Sequence, residues 1–178
     1  MYAKDSTITA HQQFPDTESL QRKFRSHSEY SLIHIPNFLD KNTANNLAEE
    51  LDHIPLEECK RFTRANSCMY EHNRIWETPR AQNLIHYLHS SPFIRWLQAV
   101  TDTRDLIPDP HLVGAGYMKS FRGDSLKIHT DFNWNDQIRL HRQLSIVIYL
   151  NDEWQTDWGG QLQFYAPVSY THLRAHET

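Results

Sequence analysis

Histidine and aspartate two positions apart, as in His129-Thr130-Asp131, can present an imidazole nitrogen and a carboxylate oxygen to one point. In a strand, period two puts both side chains on the same face. Two histidines and one carboxylate form the facial triad that holds Fe(II) and leaves coordination positions open for other reactants. The spacing alone says little. With 12 histidines and 22 acidic residues in 178 positions, chance supplies one or two such pairs, and His27-Ser28-Glu29 is a second. On spacing alone the plainer reading is preferred: His129 is an ordinary hydrogen-bonded histidine and Asp131 a turn residue.

The surrounding elements give the pair a setting. Residues 111–118, 125–130, 143–150 and 161–165 read as strands, so His129 and Asp131 fall at the end of the second. Turn residues separate them: Arg122-Gly123-Asp124, the stretch 133–136, and Trp158-Gly159-Gly160. The two glycines suit a tight turn or bulge with positive φ. The preceding half is helical. Asp40 is placed to cap a helix with Ala44, Leu47, Ala48 and Leu51 on one face, ending near His53 before Pro55. Pro79 opens a second helix with Leu84, Ile85 and Leu88. Ser91-Pro92 opens a third, with Phe93, Ile94, Trp96, Leu97 and Val100 on its apolar side. Residues 30–36 read as a short strand stopped by Pro36, and 60–76 show no clean period. Residues 1–29 read as a polar arm, with only a weak helical signal near 19–24. Helices followed by short strands predict an α+β domain whose β-sandwich or barrel core is flanked by helices.

Composition bounds the function. Apolar residues are 39% and charged residues 22%, enough for a buried core. Lys and Arg number 18 against 22 Asp and Glu, a net charge of −4. That balance lacks the basic footprint of a nucleic-acid or anionic-membrane binder. No apolar run approaches the ~20 residues of a membrane span, and no secretory leader is visible. Cys59 and Cys68 form no disulfide framework, which suits a reducing compartment. A cytoplasmic protein is the expectation.

Gly116-Tyr117, His129-Thr130-Asp131, Arg142 followed by Gln143-Leu144-Ser145-Ile146-Val147-Ile148-Tyr149-Leu150-Asn151, Trp154, and Gly159-Gly160-Gln161-Leu162 occur in that order. This series resembles the 2-oxoglutarate/Fe(II)-dependent dioxygenases, in their prolyl-4-hydroxylase-like branch. Ile35-Pro36-Asn37-Phe38-Leu39 and the helix after it are similar to the opening of these domains. The resemblance covers roughly residues 30–165, strongest in the last third, and assigns the domain to residues 30–167. It implies a double-stranded β-helix (jelly-roll) core, with Fe(II) and 2-oxoglutarate bound and ascorbate as reductant. A C–H bond of a peptidyl or small-molecule substrate would be hydroxylated by O2, with release of succinate and CO2. At matching positions it implies that His129 and Asp131 are iron ligands and that Tyr149 bonds the distal carboxylate of 2-oxoglutarate. Tyr117 would line the cosubstrate pocket, and Arg142 would orient the metal-binding carboxylate from behind. Plainer readings stand beside these: either tyrosine can be core with its hydroxyl satisfied, and Arg142 can form a surface ion pair.

Residues 168–178 break the pattern. They resemble one reading frame of a transposon-type sequencing adapter, so a cut near Pro167 is expected, with the β-helix incomplete at its C-terminal side. The second metal histidine and the basic partner of 2-oxoglutarate would then lie beyond Pro167. His172, Arg174 and His176 are rejected as substitutes because they sit in the adapter-like stretch. The competing reading is a cupin-like barrel that binds a metal or ligand without oxygenase chemistry. A noncatalytic protein-binding sandwich leaves the His129/Asp131 pair unexplained. Neither substrate identity nor oligomeric state is legible.

Overall fold

The computed structural model describes residues 16–26, 31–63, 68–165 and 173–174. Its helices are α1 (Thr17–Ser26), α2 (Lys41–Asp52), α3 (Pro79–Leu88) and α4 (Ser91–Thr101). The Asp40 carboxylate caps α2 by accepting from the Thr43 amide at 3.0 Å and from its hydroxyl at 2.5 Å. Leu47 and Leu51 are thereby turned inward, where they meet Leu39, Ile54, Ala81 and Leu84. Helix α4 begins one residue earlier than the spacing predicts. Ser90, not Ser91, is the cap, its hydroxyl accepting from the Phe93 amide.

Helix α3 lacks a cap from its own chain segment, since the Thr78 side chain makes no capping bond. The Glu50 carboxylate of α2 supplies one. Oε1 accepts from the backbone amides of Arg80 at 2.8 Å and Ala81 at 3.3 Å. Oε2 accepts from the Arg80 guanidinium at 3.2 Å. A negative group on the exposed amides of a first turn is favoured by hydrogen bonding and by the helix dipole together.

Residues 1–29, read as a polar arm, contain α1. The weak signal arises because Leu20 is its one buried residue, and that contact is tertiary: Leu20 packs with Phe93, Trp96 and Val100. Phe93 sits among Phe38, Tyr87 and Trp96, with ring centroids 5.4 to 6.1 Å away. Phe38 also touches the first cluster, which joins the two parts of the helical core. No helix among the described residues is long and apolar enough to cross a membrane.

The sheets differ from expectation. Strands β1 (Lys60–Phe62) and β2 (Met69–His72) pair antiparallel in the stretch that shows no period, and β3 (Tyr117–Lys119) adds to β2. A two-stranded hairpin, β4 (Trp134–Asn135) and β5 (Leu140–His141), follows. Last, β6 (Gln163–Phe164) pairs with β7 (Leu173–Arg174). Thus the residues described form small antiparallel sheets and not the jelly-roll that the resemblance implies. The expected strand at 111–118 contributes only its last two residues to β3, and that at 161–165 only β6. Residues 125–130 form a single bridge, Ser125 to Cys68. Residues 31–36 form no strand; Ile33 and Ile35 pack on the helical core without a ladder.

Residues 143–150 are the clearest departure. Ile148 and Leu150 pack against the first core cluster, while Val147 and Tyr149 are 64% and 60% exposed. The alternation of a strand is present, but among the described residues no ladder partner is paired to it. Side-chain period comes from the local sequence; a strand also needs a neighbouring backbone to take its amides and carbonyls.

Candidate functional site

The β4–β5 hairpin sets the site. Its turn, residues 136–139, is closed by Asn135, whose buried side-chain oxygen accepts from the Gln137 amide at 3.0 Å. Arg139 takes the left-handed conformation there, at φ 55°. One step beyond the Trp134–His141 pair, the Arg142 amide donates to the Asn133 carbonyl at 2.9 Å. Arg142 is thereby returned alongside the segment it must reach, Asp131 and Phe132.

His129 and Asp131 do meet. The His129 Nδ1 donates to the Lys127 carbonyl at 2.7 Å. Since a carbonyl can only accept, Nδ1 carries a hydrogen, and in the neutral ring Nε2 is the nitrogen that can act as a ligand. Nε2 lies 3.4 Å from Asp131 Oδ1. The second oxygen, Oδ2, accepts from the Arg142 guanidinium at 3.2 Å. The sequence pair therefore becomes a spatial one, with Arg142 behind the carboxylate.

These donors fit a divalent metal. With the imidazole neutral, Nε2 and the facing carboxylate oxygen are two acceptors that a cation can bridge. Two neighbouring ligands each ~2.1 Å from one ion stand about 3 Å apart, close to the observed separation. Imidazole with carboxylate is a donor set that suits Fe(II). Among the described residues no group of three His, Cys, Asp or Glu side chains is arranged to hold a metal ion. His172 and His176 lie outside the described residues.

The two tyrosines differ. Tyr149 stands on the exposed side of 143–150. Tyr117 leads β3, and its hydroxyl donates to Asp52 Oδ1 at 2.8 Å. Lys119 binds the same oxygen at 3.0 Å and lies 5.6 Å from the centre of the Tyr117 ring. Burial first, and then the adjacent Asp52 carboxylate, push the Tyr117 hydroxyl well above its ordinary pKa. Burial alone would raise the Asp52 pKa, but the bonds from Tyr117 and Lys119 outweigh it and hold Asp52 below its usual value. The Tyr117 hydroxyl thus ties β3 to the end of α2.

Two supports escape sequence reasoning. Asp109 accepts from the amides of His111 and Val113, both at 2.9 Å. It also accepts from the buried Asn135 side chain at 3.0 Å, fastening the 109–114 loop to the hairpin. Phe132 lies under Arg142, with the guanidinium carbon 4.6 Å from the ring centre. No pattern of types or spacing marks either contact. The Gly159-Gly160 turn was legible: both residues have positive φ, and Trp154 closes it by donating to the Gly159 carbonyl at 2.9 Å.

No curated protein and no solved structure gives a significant match to the chain. The model of one family, the 2OG-Fe(II) oxygenase superfamily, matches residues 115–176. The matched stretch is about a third of the chain; it contains Tyr117, His129, Asp131, Arg142 and Tyr149 and runs through residue 176. This similarity supports a general oxygenase function, with Fe(II) and 2-oxoglutarate as its implied requirements and O2 and an oxidisable substrate as its partners.

Proposed function

We propose that the chain carries the metal-binding part of a prolyl-4-hydroxylase-like dioxygenase that hydroxylates a C–H bond of a peptidyl residue or small molecule. The observation that carries this reading is the His129–Asp131 pair at 3.4 Å, with Arg142 on the far carboxylate oxygen, inside the stretch similar to the oxygenases. His129 Nε2 and Asp131 Oδ1 would hold Fe(II). Iron and 2-oxoglutarate, when bound, would use O2 as the oxidant, one oxygen atom entering succinate as CO2 is lost and the other entering the substrate C–H bond. The protein's own residues do the rest. Lys127 fixes the histidine tautomer through its carbonyl, and Arg142 fixes the carboxylate. Tyr149, exposed and beside the core, is assigned to the distal carboxylate of 2-oxoglutarate. Tyr117 is assigned to the pocket wall through its ring, because its hydroxyl is taken by Asp52. Ascorbate as reductant, a jelly-roll core, a cytoplasmic setting, and the absence of nucleic-acid and membrane partners complete the reading.

The test is metal binding in single-residue variants. Mn(II), a spectroscopically convenient substitute for Fe(II), is titrated into the chain while free ion is followed by electron paramagnetic resonance. His129→Ala and Asp131→Ala should each weaken binding at least about tenfold, since removing one of two protein ligands removes half the donor set. Unchanged affinity in both variants would place the cation elsewhere. Metal binding that persists in a form never able to use 2-oxoglutarate would instead favour the cupin-like alternative.

A further inference from the structure

Two contacts hold Arg142, and a third supports one of them. Its guanidinium touches Asp131 Oδ2 at 3.2 Å, its planar head lies over the Phe132 ring at 4.6 Å, and Phe132 in turn lies against Gly114. A Cβ added at Gly114 would come within 2.8 Å of Phe132 Cε1. The seat therefore exists because residue 114 has no side chain, and its φ of +73° is one that glycine adopts freely. The loop bearing Gly114 is fastened by Asp109 to the buried Asn135 side chain.

A partly exposed ion pair made by a long side chain such as Arg142 holds its geometry weakly, because its partners must give up rotamer freedom. A guanidinium stacked on an aromatic face is already confined. With Oδ2 occupied by Arg142, only Oδ1 faces His129, and Asp131 is set to bind a cation through one oxygen.

We propose that Phe132, seated on Gly114, is a positioning residue that holds Arg142 on Asp131 and so presents Asp131 Oδ1 to the cation. This rests on the reading of His129 and Asp131 as a cation site. Charge gives the proposal a sign. Arg142 is positive and repels a nearby cation, so its charge alone makes its loss tighten binding, whereas loss of positioning weakens binding. Phe132→Leu changes no charge.

The experiment combines Mn(II) titration with nitrogen NMR of the Arg142 guanidinium in the metal-free chain. Phe132→Leu should weaken Mn(II) binding about three- to tenfold and return the Arg142 side-chain signals to free-arginine positions. Phe132→Tyr, which keeps the ring, should stay within about twofold of the parent. Gly114→Ala should weaken binding as Phe132→Leu does, and adding it to Phe132→Leu should cost no more, because the seat is already vacant. Arg142→Lys, which keeps the charge and loses the planar stack, should match Phe132→Leu and serves if that variant does not fold. Unchanged Arg142 signals and unchanged Mn(II) affinity in Phe132→Leu would overturn the proposal, as would tighter binding in Arg142→Lys. Failure of the underlying site looks different: His129→Ala would leave Mn(II) affinity unaltered while the Arg142 signals still report whether Phe132 holds it.

Discussion

Asp52 receives two donors, Tyr117 and Lys119, and each comes from β3. Its folded pKa is held below the usual value. It therefore contributes stability above its unfolded pKa, and that contribution is lost as pH falls through the lower folded value. Tyr117 behaves in the opposite sense. Its pKa is raised in the folded chain, so its contribution is complete below about 10 and fades as pH rises beyond that. The tie between β3 and α2 should weaken at both extremes. Tyr117→Phe should flatten both limbs of the stability–pH profile measured by urea unfolding and lower stability most near neutrality. Limbs as steep as the parent's would show that other groups govern the pH dependence. The same pair shows where sequence reading stopped at this scale. His129, Asp131 and Arg142 were singled out through the resemblance of the series they belong to, not through their spacing, and they do meet. Tyr117 was legible as a tyrosine of interest, but the partner of its hydroxyl is 65 positions away, and no local pattern encodes that.

Among the elements, helices α2, α3 and α4 were readable, and strands only in part. Helix α2 carries its cap and its apolar face in its own sequence, so Asp40, Leu47 and Leu51 were each placed. Helix α1 gave little signal because its stability comes from Leu20 docking on α4 and not from its own pattern. Strands depend more heavily on partners. The run 143–150 has the composition of a strand, yet its ladder must come from other parts of the chain. Helix α3 shows a similar dependence at its start, where Glu50 reaches across from α2. Its carboxylate is well sheltered, 13% exposed, and serves two backbone amides. Glu50→Ala should cost about 1–3 kcal/mol, since it leaves the part-buried Ala81 amide unsatisfied and the exposed Arg80 amide without its partner. Glu50→Gln keeps one acceptor and should cost about half as much. Thermal unfolding measures both. A loss below ~0.5 kcal/mol in Glu50→Ala would mean that water replaces the cap at no penalty.

At the scale of the whole molecule, the helical half encloses the buried core and the half bearing the candidate site is open. Val100 and Phe93 are nearly inaccessible, whereas Ile128, Val147 and Tyr149 are mostly exposed. Apolar side chains of strand type, outside any ladder, are what a sheet leaves when its pairing is not made. We read residues 168–178 as adapter-derived, although the family similarity runs through residue 176 and Leu173–Arg174 pairs with β6. The two readings of this segment predict different chemistry. If it is adapter-derived, His172 and His176 have no evolved geometry, and the chain of 178 residues should hold metal only weakly, through His129 and Asp131. Given Fe(II), 2-oxoglutarate and ascorbate, it should release no succinate, and deletion of 168–178 should change neither its Mn(II) affinity nor that outcome. If the segment is native, one of its histidines can complete the triad. Succinate release by the purified chain, abolished by His172→Ala or His176→Ala and kept in His27→Ala, would establish the native reading. Two backbone-paired residues are weak support for it, because strand pairing is largely indifferent to side-chain chemistry, whereas a metal triad requires three specific donors at one point.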